Sequence, residues 1–527
     1  MYDHLEVEKK WQKYWADHET FKTDVWDFSK PKFYALDMFP YPSGVGLHAG
    51  HPEGYTATDI VSRMKRMQGY NVLHPMGYDS FGLPAEQYAV QTGNNPNGFT
   101  QTNIKTFTKQ LQELGFDYDW SKMIATSDPE FYHWTQWIFK QLYKDGYAKY
   151  VDMPVNWCEE LGTVLSNDEV IDGKSERGGY PVVRKNMKQL CIDQAAFAER
   201  LLEGLNEIDW PESTKEMQRN WIGRSTGVEV QFEIVGGGKF SIFTTCIETI
   251  YGITFMVLAP DGDLVQELMP RIKNQDEVKA YIQETVSKSE MDRTELNKGK
   301  TGCRLEGIKA INPVNGKEVE VFIGDFVLAN YGTGAVMAVP SHDQRDFEYA
   351  IAHNIDRIQV IEGQDVSEHA FEKQDYLGKG CKLINSEEFT GLTVEEAKVA
   401  ITKKLVDMGI AKETVNYRFR EWIFARQRYW GEPVPIVHLE DGTDYVLPDE
   451  ELPLILPELE DYKGHNGKAP LENATEWKQY NQNGVKGVRE TSTMPGSAGS
   501  SWYYLRYIDP HNDKQLADPE LLKHWMP

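Results

Sequence analysis

Apolar and polar positions near the start of the chain predict a β-α-β unit. Residues 33–39 are apolar and β-prone, which predicts a buried strand that ends at the prolines and glycines after it. From about Gly50 the apolar side chains recur with helical spacing, and residues 71–76 predict the next strand. This order is typical of a parallel sheet with helices on its faces. Further helices are expected near 101–115 and 129–146.

A different pattern begins near Gly227. Short β-like segments are separated there by glycine-rich turns, which predicts a compact β-rich domain over 226–415 with a charged helix near 276–296. The chain therefore divides into an α/β part at 1–225, a β-rich insert at 226–415 and a final part at 416–527. The predicted strands of the insert are VEVQFEI, KFSIFTT, ITFMVLAP, VEVFIGDFVLA and GAVMAVP.

The charge of the chain limits the classes of protein to which it can belong. The formal net charge over 527 residues is -25, which disfavours a protein that binds nucleic acid over its whole surface but leaves room for a local basic path. Residues 440–461 hold nine acids and no lysine or arginine, and we expect them to form a solvated surface segment.

Cysteine usage and the N-terminus indicate a cytoplasmic protein. Five cysteines lie far apart with no C-x-x-C pair, which fits a reducing compartment and predicts no zinc site. The N-terminus is charged from Asp3 onward and does not resemble a signal peptide. The longest apolar run, TIYGITFMVLAP, is too short to cross a bilayer, so no membrane partner is expected.

The stretch GVGLHAGH carries the first candidate chemistry. His48 and His51 are three residues apart at the start of the predicted helix, so they share a face beside its positive end. Two imidazoles there can bind a phosphate, and the small Gly50 lets a flat group approach the backbone. A dinucleotide fingerprint is the alternative, but it needs another glycine spacing. A second alternative is that the histidines only cap the helix.

Several blocks together resemble the class I aminoacyl-tRNA synthetases, and among them the leucyl enzymes. FPYPSGVGLHAGH contains the HIGH-type motif at residues 48–51, and HPMGYDSFGLPAEQYA has Ser80 after Asp79, as leucyl enzymes do. The resemblance continues in WTQWIF, NWCEELGTVLSNDEVIDG, DWPESTKEMQRNWIGRS, YGTGAVMAVPSHDQRDFEYA, RQRYWGEP and SSWYYLRYIDP. It implies a Rossmann-like parallel-sheet catalytic domain, interrupted by an inserted β-rich editing domain that resembles an α+β barrel.

The resemblance implies that ATP and leucine react at the first domain and that the leucyl group passes to tRNA(Leu). His48 and His51 would hold the ATP phosphates, with Gly50 under the nucleotide. Magnesium is expected with ATP, bound largely through the phosphates.

The leucine site is also assigned by resemblance. Asp79 would accept the α-ammonium group of leucine, which agrees with the need of a cationic amine for a carboxylate. Phe39 and Tyr41 would form the walls of the apolar pocket. For Phe39, plain core packing is the alternative.

The β-rich insert resembles a hydrolytic editing domain. A purely apolar pocket separates amino acids that differ by one methyl group by only about 1–3 kcal/mol, so a second site is the usual remedy. Thr249 matches the position that excludes leucine, and Asp346 the aspartate that binds the mischarged amino group. For Asp343 and Asp346, a surface acid pair is the alternative. The residues assigned to editing are Thr244, Thr245, Thr249, Tyr331, Met337, Asp343 and Asp346.

Two departures from the family pattern affect these expectations. The threonine-rich block usually has arginine, proline and aspartate where this chain has Cys246, Ile247 and Glu248, which puts the editing activity in doubt. No K-M-S-K-S motif is present, so we expect a fragment or one half of a split enzyme, with a second chain as partner. The alternative is a divergent paralogue that acts only as a mischarged-tRNA deacylase or a tRNA-binding protein.

Overall fold

The computed structural model forms two compact units, which we describe separately. The first contains Met1–Val164, Asn186–Asp193 and Trp422–Pro527, and the second Leu165–Lys185 and Gln194–Glu421. The predicted domain boundaries at 225/226 and 415/416 stay predictions. The structure describes residues 3–42, 44, 46–166, 169–171, 173–286, 293, 301–329, 333–464 and 468–526.

The predicted β-α-β unit is confirmed. Strands Lys32–Tyr34 and Asn71–Leu73 pair in parallel, with Phe33 opposite Val72, and the helix Gly50–Met67 connects them. The first strand is shorter than predicted, because its partner runs into Pro75, which has no N–H group to donate to a ladder.

A second short parallel pair continues this unit. Gly77–Tyr78 lies beside Ile124–Ala125, with Gly77 opposite Ile124. The helix Pro96–Leu114 between them begins where the side chain of Asn95 accepts the N–H of Asn97, and it ends at Gly115 in the left-handed region. The predicted helices near 101–115 and 129–146 are therefore confirmed, as Pro96–Leu114 and Pro129–Lys144.

Shorter elements complete the first unit. A four-stranded sheet has the order Trp422–Ile423, Val183–Ile192, Ala148–Cys158, Thr163–Leu165. An antiparallel sheet has the order Asp444–Val446, Ile436–Leu439, Val485–Arg489, Gln479–Gln482. Further helices are His4–Asp17, Leu83–Thr92, Thr475–Lys478, Ser497–Ser500, Tyr503–Arg506 and Pro519–Trp525.

The acidic segment 440–461 is less solvated than predicted. Leu447 is fully buried, and the N–H of Leu454 donates to the side-chain amide oxygen of Gln136 at 2.9 Å. Asp449 accepts a hydrogen bond from the buried Lys140. The apolar residues between the acids therefore hold this segment against the first unit.

The second unit is built on a seven-stranded sheet. Its order is Lys239–Thr244, Ser225–Ile234, Gly302–Ile311, Glu318–Gly324, Phe255–Leu258, Ala335–Ala338, with Ala411–Asn416 also paired to Ser225–Ile234. All five predicted strands are present. The strands Gly302–Ile311 and Ala411–Asn416 were not predicted, because charged residues interrupt their apolar pattern. Among the described strands, no ladder joins the two ends of this order.

Helices pack around this sheet. The predicted charged helix is present as Gln275–Val286, and the rest of 276–296 lies outside the described residues except for Arg293. The other helices are Ala198–Gly204, Glu212–Ile222, Asp263–Leu268, Gln344–Ala352, Lys373–Tyr376 and Val394–Asp407. Over the described residues, no helix has both the length and the apolar composition of a membrane span.

Candidate active sites

The predicted phosphate site lies at the start of the helix Gly50–Met67. The backbone N–H of His48 donates to Nδ1 of His51, and the N–H of Gly50 donates to Nδ1 of His48, both at 3.2 Å. The two rings stack with their centroids 3.8 Å apart. His48 therefore accepts the N–H of the first helical residue, whereas the N-cap residue Ala49 makes no side-chain cap and His51 accepts no N–H of the helix.

These hydrogen bonds determine which ring nitrogens can serve a ligand. A neutral imidazole whose Nδ1 accepts a hydrogen bond carries its proton on Nε2. Burial and the neighbouring charge of His48 lower the pKa of His51, although the backbone hydrogen bond raises it in part. His48 is exposed and His51 half-buried. The pair can thus present two Nε2–H donors to a phosphate.

Gln110 contacts the two described residues just before the histidines. The N–H of Leu47 donates to Oε1 of Gln110 at 2.8 Å. A Cβ on Gly46 would lie 2.6 Å from Nε2 of that glutamine, so a larger residue there would displace the Gln110 side chain. The helix Pro96–Leu114 thereby positions the histidine loop.

The structure brings Asp79 and the histidine pair to the same region. The ring of Phe107 contacts His51 edge to face at 6.0 Å and Tyr78 at 6.5 Å. The N–H of Asp79 donates to the carbonyl oxygen of Pro40 at 3.1 Å. The segment after the first strand therefore lies beside the aspartate, as the assignment of Phe39 and Tyr41 requires.

Aromatic rings line the predicted leucine pocket. Phe39 is buried and stacks on Tyr503 with centroids 4.0 Å apart and planes 8° apart. Tyr41 is half-buried, and a Cβ on Gly82 would lie 3.0 Å from its hydroxyl. Gly82 also has φ 136°, a conformation that favours glycine. Phe39 is therefore a core residue, as the alternative predicted, and its ring also stacks on that of Tyr503.

The surroundings of Asp79 change the pKa of its carboxyl group. It is half-buried, and the hydroxyl of Thr126 donates to its Oδ1 at 3.3 Å. Burial raises the pKa of Asp79 to about 7, although hydrogen bonds from Ser500 and Thr126 lower it in part. This carboxyl group can therefore change its charge near neutral pH.

A second carboxyl group lies near Asp79 and was not assigned from the sequence. Glu432 is fully buried, and among the described residues neither of its carboxylate oxygens has a partner with ordinary hydrogen-bond geometry. Burial raises its pKa well above the ordinary value, and the charge of Asp79 raises it further. A Cβ on Gly499 would lie 3.0 Å from Oε1 of Glu432 and from Cβ of Thr126. The only signal in the sequence was its place in RQRYWGEP. Tyr503 was likewise missed, although SSWYYLRYIDP contains it.

The threonine-rich block of the second unit follows the strand Lys239–Thr244. Thr244, Thr245 and Cys246 are half-buried, and the N–H of Cys246 donates to the hydroxyl of Thr244 at 3.0 Å. Thr249 is buried, and its hydroxyl donates to the carbonyl oxygen of Cys246 at 2.8 Å. The block therefore turns back on itself and leaves its first three residues accessible.

Glu248 is the buried end of the same block. Its Oε1 accepts the hydroxyl of Tyr376 at 3.1 Å, while its Oε2 has no hydrogen-bond partner among the residues that the structure describes. Burial raises its pKa, and the charges of Lys398 and Lys373 lower it in part. The glutamate thus faces two lysines that no local sequence pattern connects with it.

The acidic residues assigned to editing lie at the start of the helix Gln344–Ala352. Asp343 caps the helix by accepting the N–H groups of Arg345 and Asp346, and it pairs with the Arg345 guanidinium at 3.1 Å. Asp346 accepts the N–H of Val339 at 2.9 Å. The side chain of Asp343 thus acts in a helix cap and an ion pair.

Val339 connects Asp346 to the threonine-rich block. A Cβ on Gly252, three residues after Thr249, would lie 3.0 Å from Cγ1 of Val339. Met337 lies on the neighbouring strand, half-buried and opposite Met256. Tyr331 lies outside the described residues. The structure therefore places Asp346 near Gly252, just after the block, and the strand of Met337 beside the strand Lys239–Thr244 that leads into it.

Within the described ranges, no group of three or more His, Cys, Asp or Glu side chains is arranged to hold a metal ion.

Comparisons with known proteins agree with this geometry. Residues 37–174 match the family model "tRNA synthetases class I (M)", and residues 219–406 match "Leucyl-tRNA synthetase, editing domain". The chain is also similar to the LeuRS of a crystallised ternary complex, LeuRS-tRNA-LeuAMS, from Agrobacterium radiobacter K84. The sequence identity is 33% and the TM-score 0.83, and the match covers 100% of this chain and 62% of that one.

Both units thus have a counterpart in one family. The first contains the histidine and aspartate sites in residues that match the class I model, and the second contains the threonine-rich block in residues that match the editing model. The predicted α/β fold with an antiparallel β-rich part is confirmed by the similar solved structure. Residues 37–174 of the chain are therefore similar to class I tRNA synthetases, and residues 219–406 to the editing domain of leucyl-tRNA synthetases.

Proposed function

We propose that this protein is a leucine-tRNA ligase, which activates leucine with ATP and passes the leucyl group to tRNA(Leu). The observation that carries the proposal is the half-buried carboxylate of Asp79 beside the stacked rings of Phe39 and Tyr503. An amino acid with an apolar side chain needs both features, because its ammonium group requires a counter-charge and its side chain requires burial.

The histidine pair supplies the other half of the reaction. The leucine carboxylate attacks the α-phosphate of ATP in line, so the protein mainly positions the reactants and stabilises charge. His48 and His51 would do this by donating from Nε2, since their Nδ1 atoms already accept backbone N–H groups. Magnesium enters with ATP and is held largely through its phosphates.

We propose that the second unit hydrolyses mischarged tRNA(Leu). Thr244 and Thr245 are accessible at the block, and Thr249 is buried behind them. Asp346 accepts the N–H of Val339, whose side chain lies against Gly252, three residues after Thr249. The tRNA and LeuAMS named in the similar complex support tRNA and an adenylate as ligands of this chain. Its five cysteines, all free thiols, support a cytoplasmic location.

Leucine-dependent exchange between ATP and pyrophosphate tests the ligase. We expect His51→Ala to reduce the exchange by about 100-fold or more, as for other groups that stabilise transition-state charge. The same variant should hydrolyse mischarged tRNA(Leu) at the wild-type rate. His369→Ala, an exposed histidine of the second unit, is the control.

The outcomes separate the candidate functions. Exchange that survives His51→Ala would contradict the role of the histidine pair. Hydrolysis without any exchange by the wild-type protein would favour a deacylase, for which the accessible threonine-rich block is the supporting observation. Binding of NADH, seen as quenched tryptophan fluorescence, would favour the dinucleotide alternative.

A further inference from the structure

Two lysines from different helices converge on the middle of the threonine-rich block. Nζ of Lys398, on the helix Val394–Asp407, donates to the carbonyl oxygen of Thr245 at 2.9 Å. Nζ of Lys373, at the start of the helix Lys373–Tyr376, lies 3.4 Å from the hydroxyl of the same threonine. Two positive charges are therefore concentrated at one accessible residue.

Their charge is not cancelled by salt bridges. In the part of the chain that the structure describes, neither lysine lies within 4.0 Å of a carboxylate oxygen. Glu248 is the acid that faces them, but it is fully buried and its carboxyl group is hydrogen-bonded to Tyr376. Even when it is ionised, Glu248 balances only one of the two ammonium groups. The two ammonium groups therefore keep a net positive charge.

The two lysines and Thr245 are partly accessible to solvent. Lys373, Lys398 and Thr245 are all half-buried, so solvent and a ligand can reach them. The net charge of the chain is -25, so a polyanion is repelled by most of its surface. A local cation pair is then the feature that can attract one.

We propose that Lys373 and Lys398 bind a backbone phosphate of the single-stranded 3′ end of tRNA and hold the terminal nucleotide against the threonine-rich block. An ammonium group has three N–H donors, so the one directed at Thr245 leaves others for phosphate oxygens. Lysine binds phosphate as a point charge, without the fixed fork of arginine. The identity of the RNA rests on the proposed editing function.

Salt-dependent binding of a short single-stranded RNA with the tRNA 3′-terminal sequence tests the proposal on the full chain. For single strands, each phosphate contact adds about 0.7 to the slope of log affinity against log salt. We expect Lys373→Gln and Lys398→Gln each to lower the slope by about that amount and the affinity about tenfold. Lys→Arg at either position should retain both. Lys379→Gln, an exposed lysine just beyond the helix, is the control.

A purely structural role for the lysines gives a different result. If the lysines only hold Thr245 in place, the Gln variants lose thermal stability and kcat for deacylation. The slope of log RNA affinity against log salt concentration then stays at the wild-type value. That result would overturn the proposal. Phosphate binding instead raises KM for mischarged tRNA and leaves kcat nearly unchanged.

Failure of the proposed function can be told apart from failure of this inference. A wild-type protein that binds the RNA through the lysines but hydrolyses no mischarged tRNA contradicts editing and supports the lysine site. A wild-type protein that hydrolyses the tRNA with the same salt slope as its Gln variants supports editing and overturns the lysine site.

Discussion

The imidazole of His74 and the carboxylate of Asp117 form a buried hydrogen bond, with Nδ1 of His74 2.6 Å from Oδ1 of Asp117. Nε2 of the same ring lies 3.1 Å from Oδ2 of Asp37, so one histidine bridges two aspartates. Asp37 also accepts the hydroxyl of Thr58, on the helix that His48 and His51 begin. This network holds that helix against the end of the strand Asn71–Leu73.

We expect the network to make stability depend on pH. Burial lowers the pKa of His74, but hydrogen bonds and charges from Asp117 and Asp37 outweigh it and raise the pKa. A raised pKa stabilises the fold fully below the unfolded value of about 6.5, and this stabilisation is lost as the pH rises through the folded-state pKa. The free energy of unfolding should therefore fall above about pH 6.5.

The acid limb of the same profile comes from Asp117. Burial raises its pKa, but the hydrogen bond and charge of His74 outweigh it and lower the pKa to about 2. The stabilisation is then present above about pH 4 and is lost as the pH falls towards the folded-state value. The network therefore contributes most to the free energy of unfolding between about pH 4 and pH 6.5.

Denaturant unfolding between about pH 2 and pH 9 checks both the acid and the alkaline limb of the profile. His74→Gln should cost about 3 kcal/mol near pH 6, because it leaves buried carboxylates without their partner. His369→Gln, in the second unit, should leave the profile unchanged. A variant at His74 that kept the wild-type pH profile would contradict the charged state of the ring.

Leucine binding should depend on the ionisation of Asp79. Because burial raises its pKa to about 7, the carboxylate forms only as the pH rises past that value. We expect calorimetry to show tighter leucine binding at about pH 8 than at pH 6. Asp79→Asn should weaken binding by about 2 kcal/mol and remove the pH dependence.

Thr126→Val is the matched variant for that profile. It removes a hydrogen bond that lowers the pKa of Asp79, so the rise in affinity should move to higher pH while the pH dependence persists. An unchanged midpoint would show that another group controls binding.

The buried Glu432 should destabilise the protein at neutral pH. An acid whose pKa is raised by folding costs stability as the pH rises above its unfolded value of about 4.3, by up to about 1.4 kcal/mol per pH unit. Glu432→Gln removes this titration, so the variant should gain stability over wild type as the pH increases from about 5 to 8.

Glu86 is a second buried acid, and burial raises its pKa to about 7. Its Oε2 accepts the N–H of Trp430 at 3.2 Å, and the charge of Arg428 lowers its pKa in part. Glu86→Gln also loses these contacts, so it should gain less stability than Glu432→Gln over the same pH range. Equal effects of the two Gln variants would contradict the role of hydrogen bonding in the difference.

Thiol modification should inhibit deacylation through Cys246. Cys246 and Cys381 are half-buried, whereas Cys158, Cys191 and Cys303 are buried. The sulfur of Cys246 lies 3.6 Å from the hydroxyl of Thr245, so an alkyl group there occupies the accessible face of the block. N-ethylmaleimide should inhibit Cys381→Ser and spare Cys246→Ser. Inhibition of both variants would place the reactive group elsewhere.

Local patterns were sufficient to predict the β-α-β unit and the motifs on it. The helical period from Gly50 and the neighbouring β-prone runs are properties of short windows, and the structure confirms them. The position of His48 and His51 at the helix start follows from the same pattern. Charge and cysteine spacing, by contrast, limited the class of protein without placing any residue.

Only the tertiary structure shows which residues distant in sequence contact each other. Lys373 and Lys398 lie 128 and 153 residues after Thr245, and no local period connects such positions. Trp430 donates to the carbonyl oxygen of Ser80 across 350 residues, which brings RQRYWGEP, and Glu432 with it, to the aspartate site.

Local patterns fix which residues can form a helix, a strand or a cap, because these depend on neighbours within a few positions. The charge state of Asp79, Glu432 and Glu248 depends instead on burial and on what packs against them. The sequence by itself therefore determined the candidate motifs and the order of the elements. Only the tertiary structure decided which carboxyl groups are buried and which lysines face the threonine-rich block.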